Sequence, residues 1–440
     1  MRRRAEALAQ WVSLGMAVGI ACGCASALFL ALLERATSFR GQHEWLVYCL
    51  PLAGLLIGSA YERWGKPIRG GNNLIIDTIH EGRSELPLRM APMVLIGTVL
   101  THVFGGSAGR EGTAVQMGAS LADWIAHRAR VRRETRLQLL AAGIAGGFGS
   151  VFGTPIAGTI FGLEVVCIGR IEYDALAPAL VSALVGDYVT RSLGIHHTAY
   201  PKLLPVELTP LLLLKLGLIG VAMALATMVF VELTHRLRRS LEARIPRLAY
   251  RMFLGGLLLI LLWKLIGTSD YLGLSVPLLE RAFVDPTLPQ LAFAAKIVFT
   301  ALTLASGFLG GEVTPLFVVG ATLGSVLGRW LGLPIGLGAG VGIAAVFGSA
   351  ATTPLALSVM AVELLGSAAF PHVLIVTVTA YLLSGHRSIY PAQRILRRKH
   401  GGTLGRAVPL RDLDASVAPP ALDPASPTGD AGGGSGAGSS

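Results

Sequence analysis

Charge is scarce in this sequence. Only 14% of its 440 residues are Asp, Glu, Lys or Arg, against about 25% in soluble domains. A chain that is also 52% hydrophobic, with a mean hydropathy of +0.62, falls outside the soluble class. Cysteine is scarcer still: Cys22, Cys24, Cys49 and Cys167 all sit in apolar surroundings. The first two are too close on one helix for a disulfide or zinc framework, which leaves buried thiols. No His/Cys/Asp spacing suggests a metal site. There is no ATP motif and no sign of a cofactor. Ser107 near His102 is the one loose nucleophile–base pair, so a membrane enzyme is a distant alternative and no enzymatic activity is expected. The net charge of +11 comes from short arginine runs between apolar segments. That pattern orients membrane proteins and is not a nucleic-acid signal.

Long apolar stretches are abundant. Trp11 to Leu33 carries no charge, which reads as a membrane-spanning helix, since a run of more than ~18 such residues spans a bilayer. It is too long for the h-region of a signal peptide, so it is retained. Further apolar helical segments follow to about residue 384, among them 155–168, 175–193 and 208–233. Several are too short to cross a core ~30 Å thick at about 1.5 Å per residue. Broken helices of this kind are tolerated in a membrane where they are buried in protein or line a cavity.

The two halves of the chain resemble each other. Gly143–Glu164 and Gly342–Glu363 align without gaps at an offset of 199 (342 − 143), matching Phe148/Phe347, Gly149/Gly348, Ser150/Ser349, Thr154/Thr353, Pro155/Pro354 and Glu164/Glu363. Gly109-Arg110-Glu111 meets Gly310-Gly311-Glu312, and Gly71 meets Gly273. Two arginine-rich loops, His127–Arg136 and His235–Arg247, have arginine-poor counterparts in the other half. They share one side of a membrane only if the second repeat is inverted. The expected architecture is therefore an all-α polytopic membrane protein with two inverted-topology repeats of broken, re-entrant helices, the build of secondary transporters. The transport domain is 1–400, with repeats at about 10–195 and 208–390. Pro, Ala, Asp, Gly and Ser dominate 401–440, which reads as a disordered cytoplasmic tail. Both termini face the cytoplasm.

The stretch Gly105–Gly118 places Arg110 and Glu111 at the mouth of an apolar helix, among five glycines. Free N–H groups at a helix start bind anions. A carboxylate there competes with an anion for the same donors unless it takes up a proton. That competition exchanges anions against protons.

These residues resemble the CLC family of chloride channels and anion/proton antiporters. Gly109-Arg110-Glu111-Gly112 matches its central signature, whose glutamate is the family's gate and proton carrier. Gly310-Gly311-Glu312-Val313-Thr314-Pro315 falls at its second glycine-rich signature, Gly70-Gly71-Asn72-Asn73 at its first anion-binding turn, and Tyr390 at the tyrosine facing the central anion. Asn72 replaces a serine, Thr113 a proline and Glu312 an apolar residue, a combination similar to the bacterial fluoride/proton antiporter branch. Val165 stands where chloride exchangers carry an inner proton-relay glutamate; Glu164 is one residue away. The resemblance implies fluoride and protons as transported ions, a homodimer in lipid, and the inner membrane of a bacterium. A chloride/proton exchanger or passive chloride channel of the same family is the alternative.

The expected gate is Glu111, with Asn72, Gly109, Arg110, Gly112, Thr113, Glu312, Val313, Thr314 and Tyr390 along the anion pathway. A carboxyl inside a membrane is costly to bury ionised and functional by default. Adjacent residues at a helix start point apart, which argues against a Glu111–Arg110 salt bridge. Protonated, Glu312 donates a hydrogen bond that fluoride accepts well. The Asn72 amide offers two donors where serine offers one, unless it serves as an N-cap. Thr314 either serves the acid beside it or bonds back to a helix carbonyl. Glu164 and Glu363 occupy equivalent helix ends and read as structural. Lys296, whose counterpart is Val94, either snorkels or supplies positive potential to the pore. His102 reads as a packed, hydrogen-bonded side chain.

Overall fold

The computed structural model describes residues 2–82, 85–334, 336–399 and 403–413. The first half of the chain forms α1 (Arg2–Gln42), α2 (Leu50–Trp64), α3 (Asn72–Glu81), α4 (Met90–Val103), α5 (Glu111–Arg128), α6 (Arg133–Phe152), α7 (Pro155–Glu164) and α8 (Leu176–Ser192). The second repeats the series as α9 (Pro210–Arg244), α10 (Leu248–Ile266), α11 (Val276–Val284), α12 (Ala292–Ser306), α13 (Val313–Trp330), α14 (Leu337–Ala350), α15 (Pro354–Leu365) and α16 (Phe370–Leu383). Long helices match long and short match short, so the duplication read in a few motifs extends over the fold. Five helical stretches among the described residues are long and apolar enough to cross a membrane. Leu28, Leu56, Leu214 and Leu265, on α1, α2, α9 and α10, point large apolar side chains outward, as contact with lipid requires.

Two longest helices overrun their apolar cores. The runs near 10–33 and 208–233 become α1 and α9 of 41 and 35 residues. Lys, Arg and Glu are good helix formers, and a Glu232–Arg236 pair one turn apart supports α9 beyond the end of its uncharged run. Conversely, α7 stops at Glu164, and Cys167–Ile168 is a short strand, β1, where a helix to 168 was expected.

Small residues set the closest helix crossings. A Cβ at Gly143 of α6 would meet the Gly118 carbonyl of α5, and one at Gly342 of α14 would meet that of Gly320 in α13. Glycine lets the backbones touch there, the usual device where lipid removes the hydrophobic drive between helices.

The relation between the repeats follows from two reciprocal contacts. Glu164 at the end of α7 accepts from Leu355 N–H (3.2 Å) and Ala356 N–H (2.8 Å) at the start of α15. Its equivalent Glu363, at the end of α15, accepts from Ile156 N–H (3.1 Å) and Ala157 N–H (2.8 Å) at the start of α7. Contacts that are returned in this way mark a two-fold relation. The two carboxylates therefore satisfy otherwise orphaned helix-start donors across the repeat interface. Glu164→Ala strands two buried N–H groups and is expected to cost about 2–4 kcal/mol. The drop appears as a lower unfolding temperature in detergent, and Glu164→Gln, which can still accept, recovers part of it. An unchanged temperature would mean the cap carries no weight.

The chain past the last helix departs from expectation. Residues 401–440 read as a disordered tail, yet Thr403–Pro409 forms a strand, β3, antiparallel to β2 (Arg394–Arg397), which lies parallel to β1. Val408 and Leu413 bury apolar side chains, and Arg411 makes a two-pronged ion pair with Asp77 of α3 at 2.9 and 3.0 Å. A few apolar positions within a polar composition suffice once a neighbouring edge offers a ladder. Residues 414–440 lie outside the described residues.

Candidate functional site

Three helix starts converge in the protein interior. α3 begins at Asn72, after a turn in which Gly71 takes φ +54°. α5 begins at Glu111 and α13 at Val313. The glycine-rich loops before the last two pair as an isolated antiparallel bridge: Gly109 N–H donates to Gly311 O at 2.6 Å and Gly311 N–H to Gly109 O at 2.8 Å. Gly112 packs against Gly311, and a Cβ at Gly112 would come within 3.1 Å of the Gly311 Cα and 3.2 Å of the Asn72 amide nitrogen. Only residues without side chains allow loops from two repeats to meet so closely.

The Glu111 carboxylate sits at that junction, fully buried. Oε2 accepts from the backbone N–H of Arg110 (3.0 Å) and of Thr314 (3.2 Å), and Oε1 accepts from the Thr314 hydroxyl. Thr314 N–H belongs to the first turn of α13, a donor with no partner inside its own helix. The carboxylate thus occupies a ready-made anion site. Thr314 bonds neither a helix carbonyl nor the adjacent Glu312, the acid it was expected to serve; its hydroxyl donates to Glu111 across the repeat junction. Contrary to expectation, Arg110 does approach Glu111: its Nε lies 3.5 Å from Oε1. The long side chain folds back, although the Cα–Cβ directions diverge.

Beside this junction lies a cavity of about 440 Å³. Gly70–Asn73, Thr113, Glu312 and Tyr390 line its inner end, and Arg69, Arg238, Glu242 and Arg251 its mouth. Asn72, Thr113, Glu312 and Tyr390 are therefore brought together as expected. Gly109, Arg110, Glu111 and Thr314 form the layer beyond. Val313 lines no part of the cavity; it is buried in the core as an apolar residue at an α13 position turned away from the loops. Asn72 is no N-cap: Gly71 holds that position and no side chain caps α3. Its Oδ1 is buried without a hydrogen-bond partner, while the residue lines the cavity. Thr113 Oγ1 shares a 2.6 Å hydrogen bond with Thr98 Oγ1.

Some contributors had no signal in the sequence. Gln393 is fully buried and accepts at Oε1 from the Thr352 (3.0 Å) and Ser388 (2.6 Å) hydroxyls, while Nε2 donates to Val165 O (2.7 Å) and Ala351 O (2.9 Å). It thereby fixes the turn that carries Tyr390. Arg238 reaches the cavity from the end of α9 and donates to Leu304 O at 3.3 Å. His102 has its ring nitrogens 2.8 Å from Thr98 O and 3.0 Å from Ala108 O, a packed side chain as expected. Val165 is buried beside Ile75, Ile76, Val115 and Phe161, with Asn72 and Tyr390 lining the same small cavity, and neighbouring Glu164 is occupied as a helix cap.

The family model described as voltage gated chloride channel matches residues 53–385. The chain belongs to the voltage gated chloride channel (CLC) family. It is 47% identical over 414 residues to a chloride/fluoride channel protein of Pseudomonas syringae pv. tomato, covering 92% of this chain and 91% of that one. A crystal structure of a CLC-type fluoride/proton antiporter superposes with a TM-score of 0.86 at 37% identity, over 88% of this chain and 98% of that one. A slow cyanobacterial Cl⁻/H⁺ antiporter shares the fold, with a TM-score of 0.74 at 20% identity. The CLC fold accounts for the all-α polytopic architecture, and this CLC protein is a polytopic membrane protein.

Proposed function

We propose that this CLC protein exports fluoride in exchange for protons, with Glu111 as the gate and proton carrier. The observation that carries this reading is the placement of the Glu111 carboxylate on donors that an anion would otherwise take, the N–H groups of Arg110 and Thr314 and the Thr314 hydroxyl. Protonation cancels the charge that holds the carboxyl there, and the side chain swings out. Fluoride arriving through the cavity then takes the vacated donors. When the proton leaves on the other side, the carboxylate returns and displaces the anion. One site with two alternating occupants couples the flows, and the proton gradient drives export.

The polar groups around the cavity support fluoride over chloride. A small, strongly hydrated anion needs more donors to replace its water. The Asn72 amide, the Tyr390 hydroxyl and a protonated Glu312 supply them beside the converging helix starts. The chloride/fluoride channel protein and the fluoride/proton antiporter to which the chain is similar support the same choice. With the arginine-rich ends of α5 and α9 in the cytoplasm, by the positive-inside tendency, the cavity faces inward in the inner membrane of a bacterium. Two copies form the working dimer in lipid, each with its own pathway, and residues 1–400 make up the transport domain. Halide release from proteoliposomes tests the selectivity: fluoride is expected to leave much faster than chloride, and equal rates would favour a chloride exchanger.

A further inference from the structure

The duplication builds the cavity's end twice, and only one copy is open. Gly71, with φ +54°, and its repeat equivalent Gly273, with φ +61°, both take a positive φ just ahead of a short helix, Gly71 as the N-cap of α3 and Gly273 two residues before Ser275, the N-cap of α11. In the first repeat the turn lines the cavity together with Val94. The residue equivalent to Val94 is Lys296 on α12, fully buried. Its ammonium donates to Gly273 O (2.8 Å), Ser275 Oγ (2.8 Å) and Ser107 Oγ (2.9 Å), with Tyr271 O at 3.3 Å.

Three donors meet four oxygens, so Lys296 is saturated without an acid. It neither snorkels nor faces the cavity. Thr300 Oγ1 adds a 3.0 Å bond to Ser107, whose N–H donates to Thr303 Oγ1 at 3.1 Å. Arg40 lies on the other side of the Gly273 turn, with Nη1 buried and unpartnered. The second turn is thus packed by the Lys296 and Arg40 side chains, where the first lines the cavity. Ser107 stands four residues before Glu111, in the loop whose Gly109 pairs with Gly311.

We propose that Lys296 is the positioning residue that makes the two halves of the pathway unequal: its ammonium fills the duplicated cradle and ties it to Ser107, holding closed the loop that carries Arg110 and Glu111. The inference rests on the exchange reading above and adds to it. An anion can then wait at the end facing the cavity, while passage at the other end requires Glu111 to move. With the tie cut, the loop gives way without a proton and the anion slips past.

The test compares fluoride and proton fluxes in proteoliposomes of wild type, Lys296→Met, Ser107→Ala and the double variant. Lys296→Met keeps the bulk and loses the charge and donors. Its proton-to-fluoride ratio is expected to fall about tenfold, the shift for one lost charge-assisted hydrogen bond, while fluoride flux is retained. Ser107→Ala moves the ratio the same way, and adding it to Lys296→Met changes nothing more. A wild-type ratio in Lys296→Met, or both fluxes falling together, overturns the proposal. If Lys296→Met does not fold, Ser107→Ala alone decides, a lowered ratio supporting the tie and a wild-type ratio refuting it. Wild-type protein that moves fluoride without protons would instead overturn the exchange reading.

Discussion

Glu111→Gln is expected to leave fluoride moving and to abolish the accompanying proton flux. The amide has the shape of the acid and can still accept from Thr314, but it cannot take up and release a proton. A positioned proton-transfer group is worth about 10²–10⁴-fold, so proton uptake should fall roughly 100-fold or more, to the leak of empty vesicles. Fluoride then passes downhill at a rate set by how often the neutral side chain leaves its donors. Simultaneous fluoride-electrode and internal pH recordings read both quantities. Proton flux unchanged in the variant would remove Glu111 from the cycle, whatever its burial.

Glu312→Ala is expected to slow fluoride itself. Glu312 is the carboxyl lining the cavity's inner end, two residues before Thr314, which holds Glu111. As an acid it donates to a passing fluoride; as a charge it repels one. Loss of one hydrogen bond to a charged group costs about 1.5–3 kcal/mol, or roughly 10- to 100-fold in occupancy. Glu312→Gln keeps an N–H donor and should retain much of the wild-type rate. Initial rates of fluoride release order the three proteins as wild type, Gln, Ala. If Ala is as fast as wild type, Glu312 does not contact the anion.

Much of this was legible because membranes and duplication both leave marks in sequence. Missing charge located the helices, and a match as short as Phe-Gly-Ser against Phe-Gly-Ser located the repeat. The charge asymmetry of the arginine loops suggested inversion, and the returned contacts of Glu164 and Glu363 supply a two-fold relation. The cavity's polar lining came from motif positions: Asn72, Thr113, Glu312 and Tyr390 do meet, although they are up to 318 residues apart (390 − 72). Other features were illegible for reasons of geometry. Nothing in the neighbourhood of Gln393 distinguishes it from a surface glutamine until the chain brings Val165, Ala351, Thr352 and Ser388 around it. Val313 shares the signature with Glu312 and Thr314, but one step along a helix turns a side chain by about 100°, which sends Val313 into the core. Lys296 could be read as an exception to the repeat, yet its role needed the turn at Gly273 and the loop at Ser107 to be seen touching it. The strand after residue 401 was hidden by averaged composition, because pairing depends on single residues such as Val408.

The most direct measurement imposes a proton gradient across proteoliposomes that start with equal fluoride on both sides and no membrane voltage. Alternating occupancy of one donor set by a carboxyl and an anion predicts that fluoride moves uphill, toward the more acidic side and opposite to the protons, until its own gradient balances the proton gradient. Fluoride that stays level while protons are held out of balance, or that moves only down its own gradient, would contradict the account.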